Sequence, residues 1–548
     1  MQRMKWIQRT AKVKPSKSDD IIDKLAKIRG IKDIDRFLNP TQDELHNPYL
    51  MRNIEDASNR IIRAIKNGER ICLSYDADAD GITATTVMYR YLRNYTENVY
   101  YIYSERNDGH GIQNQIDQIE NGTDLLIIID SSSNEVEACK KISESGAEII
   151  ILDHHAIEVE NPHVLLVNPQ HYDCDYPNNQ LSGAGVVFKT IQVMEDTLGQ
   201  VDPFDYLDLV AVGMYADIMR IDVLENRFMI MYGLRNIKNT GLIRILKGAK
   251  IDLFKVNCDS IGFGIAPLLN GVARMDNIKL AIDILLEDDD AKCKPIRLKM
   301  QKLNESRKEK QKEIVNQYLK NVDSSQKVLI VLDEQSSKGF NGIVAQQLAE
   351  KYKRPVVVGR LHKGTISGSF RSYNGFKFKS FLQEFGGDIE ALGHEGAGGI
   401  VLAEENLPDL MKYIDVNMPT LGEKEPTVVY DIEMHVDDIG EYIRVVEQFN
   451  HLVGNGFPKI IVKVDGIMVD NAECIGKTME TVKIRTFDSL ELIKFRVNDQ
   501  YASELGTFDR ISVVGVLSMN EWYNFKTKEK ISTPQVMIED YMVMVEED

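Results

Sequence analysis

RICLSYDADADG, at residues 70–81, runs from a short apolar stretch straight into three acids at alternate positions and a glycine. The apolar part is nearly continuous, as in a strand buried on both faces of a parallel sheet. ITATTVMYRYLRNY follows at 82–95 with a helical texture, so Asp76, Asp78 and Asp80 are expected at the carboxyl end of a strand, ahead of a helix. DLLIIID at 124–130, EIIILD at 148–153 and HVLLVNP at 163–169 read in the same way between helical segments. Residues 57–290 are therefore expected to form an α/β domain on a parallel sheet.

D-x-D-x-D-G also opens a calcium-binding EF-hand loop, but that loop needs a preceding helix and a bidentate Glu at its twelfth position, which here is Val87. An Asp-rich turn can equally be a solvated turn with no ligand. What weighs against that plainer reading is recurrence: Asp130 ends one apolar run, Asp153 ends another and is followed by His154 and His155, and Asp217 follows LVAVGMYA. In an open parallel sheet the carboxyl ends of the strands share one crevice, so these side chains can converge. Clustered carboxylates repel one another unless a cation neutralises them, and a carboxylate majority with imidazoles suits Mn²⁺ or Mg²⁺. There are enough ligands for two ions.

Further along, KVLIVLDE, GIVAQQLAEKYKR and PVVVGR point to a smaller α/β domain at 323–418, and the basic, glycine-free residues 292–320 to a connecting helix at 291–322. After Pro426 the pattern changes to period two, in runs such as KIIVKVDGIMV and DRISVVGVL, which predicts a small β-barrel or sandwich over 425–548, an OB-like barrel being one economical solution. Residues 1–56 are left as a leader. A formal charge of −18 argues against a broad basic face for duplex DNA. No apolar run is long enough for a membrane span, the start lacks the apolar stretch of a signal peptide, and six scattered cysteines fit a reduced, cytoplasmic setting.

The order of motifs resembles the DHH phosphoesterase superfamily, specifically the RecJ single-strand-specific 5′→3′ exonucleases. The likeness is carried by YDADADG, IIIDSSS, LDHH, ADIM with Asn226-Arg227, IGFGIAPLLNGVARM, GSFRS at 368–372, GHEGAGG at 393–399 and GNGFPK at 454–459. Departures include Ser74-Tyr75 where the family often has His-Gly, and Asp130-Ser131-Ser132 where it has Asp-x-Gly. The resemblance implies a DHH domain, a DHH-associated domain and an OB domain. It implies that Asp78, Asp80, Asp130, His154 and Asp217 hold two metal ions, with Asp76, Asp153 and His155 in or beside that set. Asn270, Arg274, Ser369, Arg371, Ser372 and His394 become candidates for gripping substrate phosphates.

The implied reaction is two-metal-ion hydrolysis of single-stranded DNA to 5′-mononucleotides in repair or recombination, with a helicase or single-strand-binding protein as partner and no membrane. The glycines around His394 read either as a close approach to an anion or as a tight turn before a helix. Lys459, Lys463, Lys477, Lys483 and Arg485, with Phe457 and Phe495, are candidates for a single-strand track in the β domain, although alternating Phe and Val there also fit a core. Competing readings are a DHH phosphodiesterase of cyclic dinucleotides or very short oligonucleotides, and a non-catalytic replication scaffold.

Overall fold

The computed structural model describes residues 4–16, 18–106, 109–322, 325–334, 336, 338–422, 425–524 and 528–544. The chain forms two compact units. One comprises Leu45–Met219 and Met229–Glu423, the other Met1–Glu44, Arg220–Phe228 and Lys424–Asp548.

The first unit is organised by a five-stranded sheet in the order Val99–Tyr103, Ile71–Tyr75, Leu125–Ile129, Glu148–Leu152, Leu165–Val167. Every pairing is parallel. The Ile71 and Leu125 strands are buried at every position, as expected of strands covered on both faces. The Val99 strand, VYYIY, lies at the edge with three half-buried positions, and its tyrosine-rich texture hid it from the sequence reading. With this sheet's first strand in chain order lying between its second and third, the strand order reverses beside Ile71–Tyr75, and such a reversal opens a crevice at the carboxyl ends. Asp76 and Asp130 begin the two loops that flank it.

The helix Asp290–Asn321, 32 residues long with Pro295 inside it, leads from this region to a second five-stranded sheet. Its order is Glu390–His394, Ala397–Ala403, Thr365–Arg371, Val356–His362, Leu329–Leu332, antiparallel except for the last pair. Phe370, Phe378 and Leu382 are central to the core on one face. Phe340, Val344 and Leu348 of the helix Lys338–Tyr352 pack on the other.

In the second unit, Val462–Ile475, Thr481–Thr486, Glu491–Phe495, Glu529–Val543 and Arg510–Asn524 close into a ring, because the first of these pairs with both the second and the last. This is the OB-like barrel. Register shifts between Val464 and Ile467 and between Val469 and Asn471 bend the long first strand around it. The first 44 residues and residues 220–228 join this unit rather than the sheet that precedes or follows them in sequence. Lys5–Gln8 pairs in parallel with Thr427–Tyr430. Asp431, fully buried, accepts from Arg9 at 2.6 Å and from Arg29 at 2.7 and 2.8 Å. The Arg227 guanidinium lies 3.8 Å from the Phe37 ring centroid and donates to the carbonyls of Phe37 and Leu452, so this residue of the resemblance is a structural clamp.

Removing Asp431 would strand two guanidinium groups, one of them buried. Asp431→Ala should destabilise the unit by about 3–5 kcal/mol, read as a lower denaturant midpoint. An unchanged midpoint would show that the cluster is not holding the first residues to the barrel.

Candidate metal centre and substrate cleft

Asp78 caps the helix Ala79–Leu92, its carboxylate accepting from the N–H groups of Asp80 at 3.0 Å and Gly81 at 3.1 Å. Gly81 is required by close approach, since a Cβ there would lie 2.6 Å from the Asp76 carbonyl oxygen. The turn therefore folds tightly enough to point Asp80 inward. Asp80 is met by the start of a second helix, Gly183–Leu198: Ser182 Oγ donates at 2.8 Å, the Gly183 N–H at 2.7 Å and the Ala184 N–H at 3.2 Å. A helix N-terminus is a natural seat for an anion. Gly183 also leaves room for Asp130, whose Cβ would stand 2.7 Å from an added methyl.

Asp130 sits in the left-handed region at φ +63, turning its side chain back over the strand end. His154 Nε2 lies 3.1 Å from Asp130 Oδ1, 3.3 Å from Asp217 Oδ2 and 4.0 Å from Asp80 Oδ2. Neither Asp130 Oδ1 nor His154 Nε2 makes a hydrogen bond, although both are buried. Asp217 caps the end of the buried helix Leu207–Ala216, so the fourth acid arrives from a helix and not from a strand. Asp80, His154 and Asp217 form one group able to share an ion, and Asp130, Asp153, His154 and His155 another.

Asp153 is already saturated. It accepts from Ser133 Oγ at 2.6 Å, the His154 N–H at 2.7 Å and His155 Nδ1 at 2.7 Å, so it orients the two histidines. Asp76 is likewise engaged by His110 Nδ1, at 2.7 and 2.9 Å from its two oxygens. The structure thus separates the predicted acids. Asp80, Asp130 and Asp217 face His154, Asp80 while also seated on the Ser182, Gly183 and Ala184 donors; Asp76, Asp78 and Asp153 are held by protein donors.

Charge follows the same division. Burial, with repulsion from Asp78, raises the Asp80 carboxyl to about 6. Burial, with repulsion from Asp80 and Asp78, raises Asp217 to about 8, and Asp130 is pushed well up by burial and the same neighbours. For Asp153 burial is outweighed by the hydrogen bond and charge of His155, which hold it low, and His110 does the same for Asp76. The bond to Asp153 lifts His155 to about 9, whereas burial and the charge of His155 lower His154 to about 4. A neutral imidazole with two unbonded ligand atoms and three strained carboxyls is a donor set that fits a divalent cation, and its oxygen majority favours Mn²⁺ or Mg²⁺ over structural zinc.

A cleft of about 610 Å³ lies on the second sheet, lined by Arg106, His110, Arg274, Lys338, Ser369 and Arg371 among others. Arg106 and Arg274 also bound a smaller space of about 140 Å³ with Ala77, Asp78 and Asn270, which joins the cleft to the acids. Asn270 Oδ1 accepts from the Ala79 N–H at 3.0 Å. Burial and the charges of Arg106, Arg307 and Arg371 bring Arg274 down to about 10.

GHEGAGG does not precede a helix: it is the turn and flanks of a hairpin, and a side chain on Gly398 would strike the Leu392 carbonyl of the facing strand. His394 is exposed beside that turn, and Ser372 is occupied within it, its N–H donating to the Gly396 carbonyl at 2.7 Å and its hydroxyl to the Phe376 carbonyl at 2.6 Å. Neither residue lines the cleft. In the barrel, Lys463, Lys483 and Arg485 are paired with Asp465, Glu491 and Glu473 at 2.9, 2.6 and 2.7 Å, and Phe457 is core. That weakens the basic track read from the sequence.

Arg106, His110, Lys338, Ser133 and Ser182 were missed. A signal existed for two of them: His110 is bracketed by glycines in GHG, and Ser182 is placed to cap the helix that follows LSGAG.

The DHH family N-terminal domain model matches residues 70–214, and the RecJ OB domain model matches 430–540. The single-stranded-DNA-specific exonuclease RecJ of Bacillus subtilis (strain 168) is 31% identical over 528 residues, 92% of this chain and 65% of that protein. The SPbeta prophage-derived protein YorK of the same organism is 27% identical over 561 residues, 96% of each chain. The crystal structure of RecJ in complex with Mn²⁺ from Thermus thermophilus shares the fold, with a TM-score of 0.81 at 22% identity, over 98% of this chain and 80% of that one. A DHH family N-terminal domain followed by a RecJ OB domain is thus matched along the chain, which spans 65% of the length of the B. subtilis RecJ.

Two outcomes are expected. Without metal, Asp80, Asp130 and Asp217 bind protons more tightly folded than unfolded. Their contribution is complete below the ordinary carboxylate range and is lost as pH rises through about 6 and about 8, and His155 acts in the same direction through about 9. His154, lowered to about 4, opposes this trend up to its ordinary value near 6.5, so the Tm in EDTA should fall between about pH 6.5 and pH 8, and Mn²⁺ should raise it more at pH 8 than at pH 5. A flat Tm across that range would refute the crowding. Separately, His110→Ala should weaken Mn²⁺ binding by about tenfold in calorimetry by releasing Asp76, and unchanged affinity would show that His110 has no bearing on the centre.

Proposed function

We propose that the chain is a divalent-metal-dependent exonuclease that hydrolyses single-stranded DNA from its 5′ end to 5′-mononucleotides, in DNA repair or recombination. The observation that carries this reading is the pair of buried, unbonded atoms, Asp130 Oδ1 and His154 Nε2, beside a cleft lined with guanidinium groups. Acids able to hold cations next to arginines lacking anions describe the two halves of a phosphodiesterase site. The single-strand and exonuclease parts draw support from the name of the B. subtilis relative.

Asp78, Asp80, Asp130, His154 and Asp217 are the residues assigned to hold two Mn²⁺ or Mg²⁺ ions, with Asp76 beside them. When bound, the ions lower the pKa of water and neutralise charge on the phosphate oxygens. Asp153 fixes the orientation of His154 and His155 through the backbone and Nδ1 contacts described above, so His154 presents Nε2 to the acids. Arg106, Arg274 and Arg371 each bond one backbone carbonyl, at 2.9, 2.8 and 2.7 Å, which immobilises them while other N–H donors remain for a phosphate. Ser369 adds a hydroxyl on the same cleft. Asn270 steadies the turn between Asp78 and Asp80.

In this assignment residues 57–290 are catalytic, 291–322 connect, 323–418 supply the phosphate grip and 425–548 are the OB-like domain. Among the described residues no helix is long and apolar enough to cross a membrane. All six cysteines are free, which supports a cytoplasmic setting, and a helicase or single-strand-binding protein is the class of partner that would supply single strands.

Digestion of 5′- and 3′-labelled single strands in Mn²⁺, Mg²⁺ or EDTA tests the reading, with cyclic dinucleotides as comparison. The 5′ label should appear first as mononucleotide, only with metal. Asp130→Ala and His154→Ala should each lower turnover by about 10²-fold or more with the circular dichroism spectrum unchanged. Turnover near wild type in either variant, or cleavage of cyclic dinucleotides alone, would overturn it.

A further inference from the structure

Three large apolar side chains stand in solvent around the segment that leads into Asn270 and Arg274. Phe254 is 99% exposed, Phe263 82% and Ile218 68%. Isolated exposed apolar residues are ordinary, but the placement of these three is not. Ile218 follows Asp217 directly and is a β-branched residue held at φ +60, a costly conformation for it. Phe263 lies in a single π-helical turn, Ser260–Ile265, between Gly262 and Gly264. Such turns are rare and frequent at functional sites.

The turn adjoins elements that carry the metal centre. Gly262 packs towards Tyr215, two residues before Asp217, and a Cβ on it would lie 3.5 Å from that ring. The helix Ala266–Ala273 continues from the turn and carries Asn270, bonded to the Ala79 N–H. Phe263 and Asn270 are seven helical steps apart, about 10 Å, which is within reach of the next nucleotides of a strand whose phosphate is at the acids. Gly264 in turn packs near Ile251, so the loop bearing Phe254 adjoins the same turn.

The charge around these rings is also distinctive in a chain of formal charge −18. Lys247 and Lys250 are exposed just before Phe254, and neither pairs with a carboxylate among the described residues. The nearby Asp252 carboxylate accepts the Phe254 N–H at 3.1 Å. Exposed aromatic rings beside unpaired cations are what a single strand needs: each base offers a face to stack on, and each phosphate a charge to neutralise.

We propose that Phe254, Phe263 and Ile218, with Lys247 and Lys250, form a track on which unpaired bases of the substrate strand stack as it leaves the metal centre. This rests on the exonuclease reading and adds to it the means of choosing single strands, because a base inside a duplex has no free face to offer. The class of ligand is a single-stranded polynucleotide of any sequence.

The test uses the full chain in EDTA, with fluorescence anisotropy on a 5′-phosphorylated 20-nucleotide oligothymidylate and on an abasic strand of equal length. The wild type should prefer thymidylate. Phe254→Ala with Phe263→Ala should weaken thymidylate binding roughly tenfold or more and leave abasic binding within about twofold. Lys247→Glu with Lys250→Glu should weaken both strands alike and reduce the salt slope by about 1 to 2. A double phenylalanine variant that keeps the full thymidylate preference, or a wild type with no preference, would overturn the track. A partner-protein surface would give that same null result on both strands. Digestion of a dinucleotide in Mn²⁺ separates the two proposals. If the variant cuts it like wild type while losing long-strand binding, both hold. If wild type cuts nothing yet shows the phenylalanine-dependent preference, the nuclease reading fails and the track stands.

Discussion

Carboxylates buried side by side are tolerable only if each is separately compensated, and this fold is arranged around that constraint. Asp80 is seated on the N-terminus of the helix Gly183–Leu198, while Asp78 caps the helix Ala79–Leu92. Asp153 takes Ser133 and His155, and Asp76 takes His110. Two helix starts and two imidazoles are thereby committed to acids. Asp130 and Asp217 receive no such partner and are left facing His154, which burial keeps neutral. The incomplete compensation is local, and it is located where a cation has three oxygens and a nitrogen within reach.

The guanidinium groups present the opposite imbalance. Arg106, Arg274 and Arg371 are tied to backbone carbonyls, not to carboxylates, so their charges stay available in the cleft. Asp78, through the small space it shares with Arg106 and Arg274, is where the two imbalances meet. Most ion pairs elsewhere in the protein are internally satisfied, as in the barrel, where lysines and glutamates pair across strands. An excess of each sign held a short distance apart is the feature that distinguishes the site from the remainder of a strongly acidic surface.

The central sheet and its acids were legible because burial on both faces leaves an unbroken apolar signature, and because Asp76, Asp130 and Asp153 each follow such a run at once. Asp217 was found by the same rule although its apolar run is a helix, since full burial looks alike in either conformation. The edge strand Val99–Tyr103 lacks that signature. Arg106 and His110 lie on the loop after it, and their roles come from contacts with Ala77 and Asp76, about 30 residues earlier, which no local pattern records. Ser372 and His394 do not line the cleft, for a related reason. Motif membership placed them near a glycine-rich hairpin but could not tell which side of the hairpin they serve.

The strand Lys5–Gln8 has a temporal consequence. Its pairing partner is Thr427–Tyr430, and the Met4 N–H and the Trp6 indole both donate to Asp540, the former across 536 positions. On a ribosome moving at roughly 5–20 residues per second, these first residues emerge on the order of half a minute or more before their partners exist. The parallel sheet, by contrast, closes over residues 71–167 and can assemble early. The central sheet can therefore take shape before residues 4–8 have a partner to pair with.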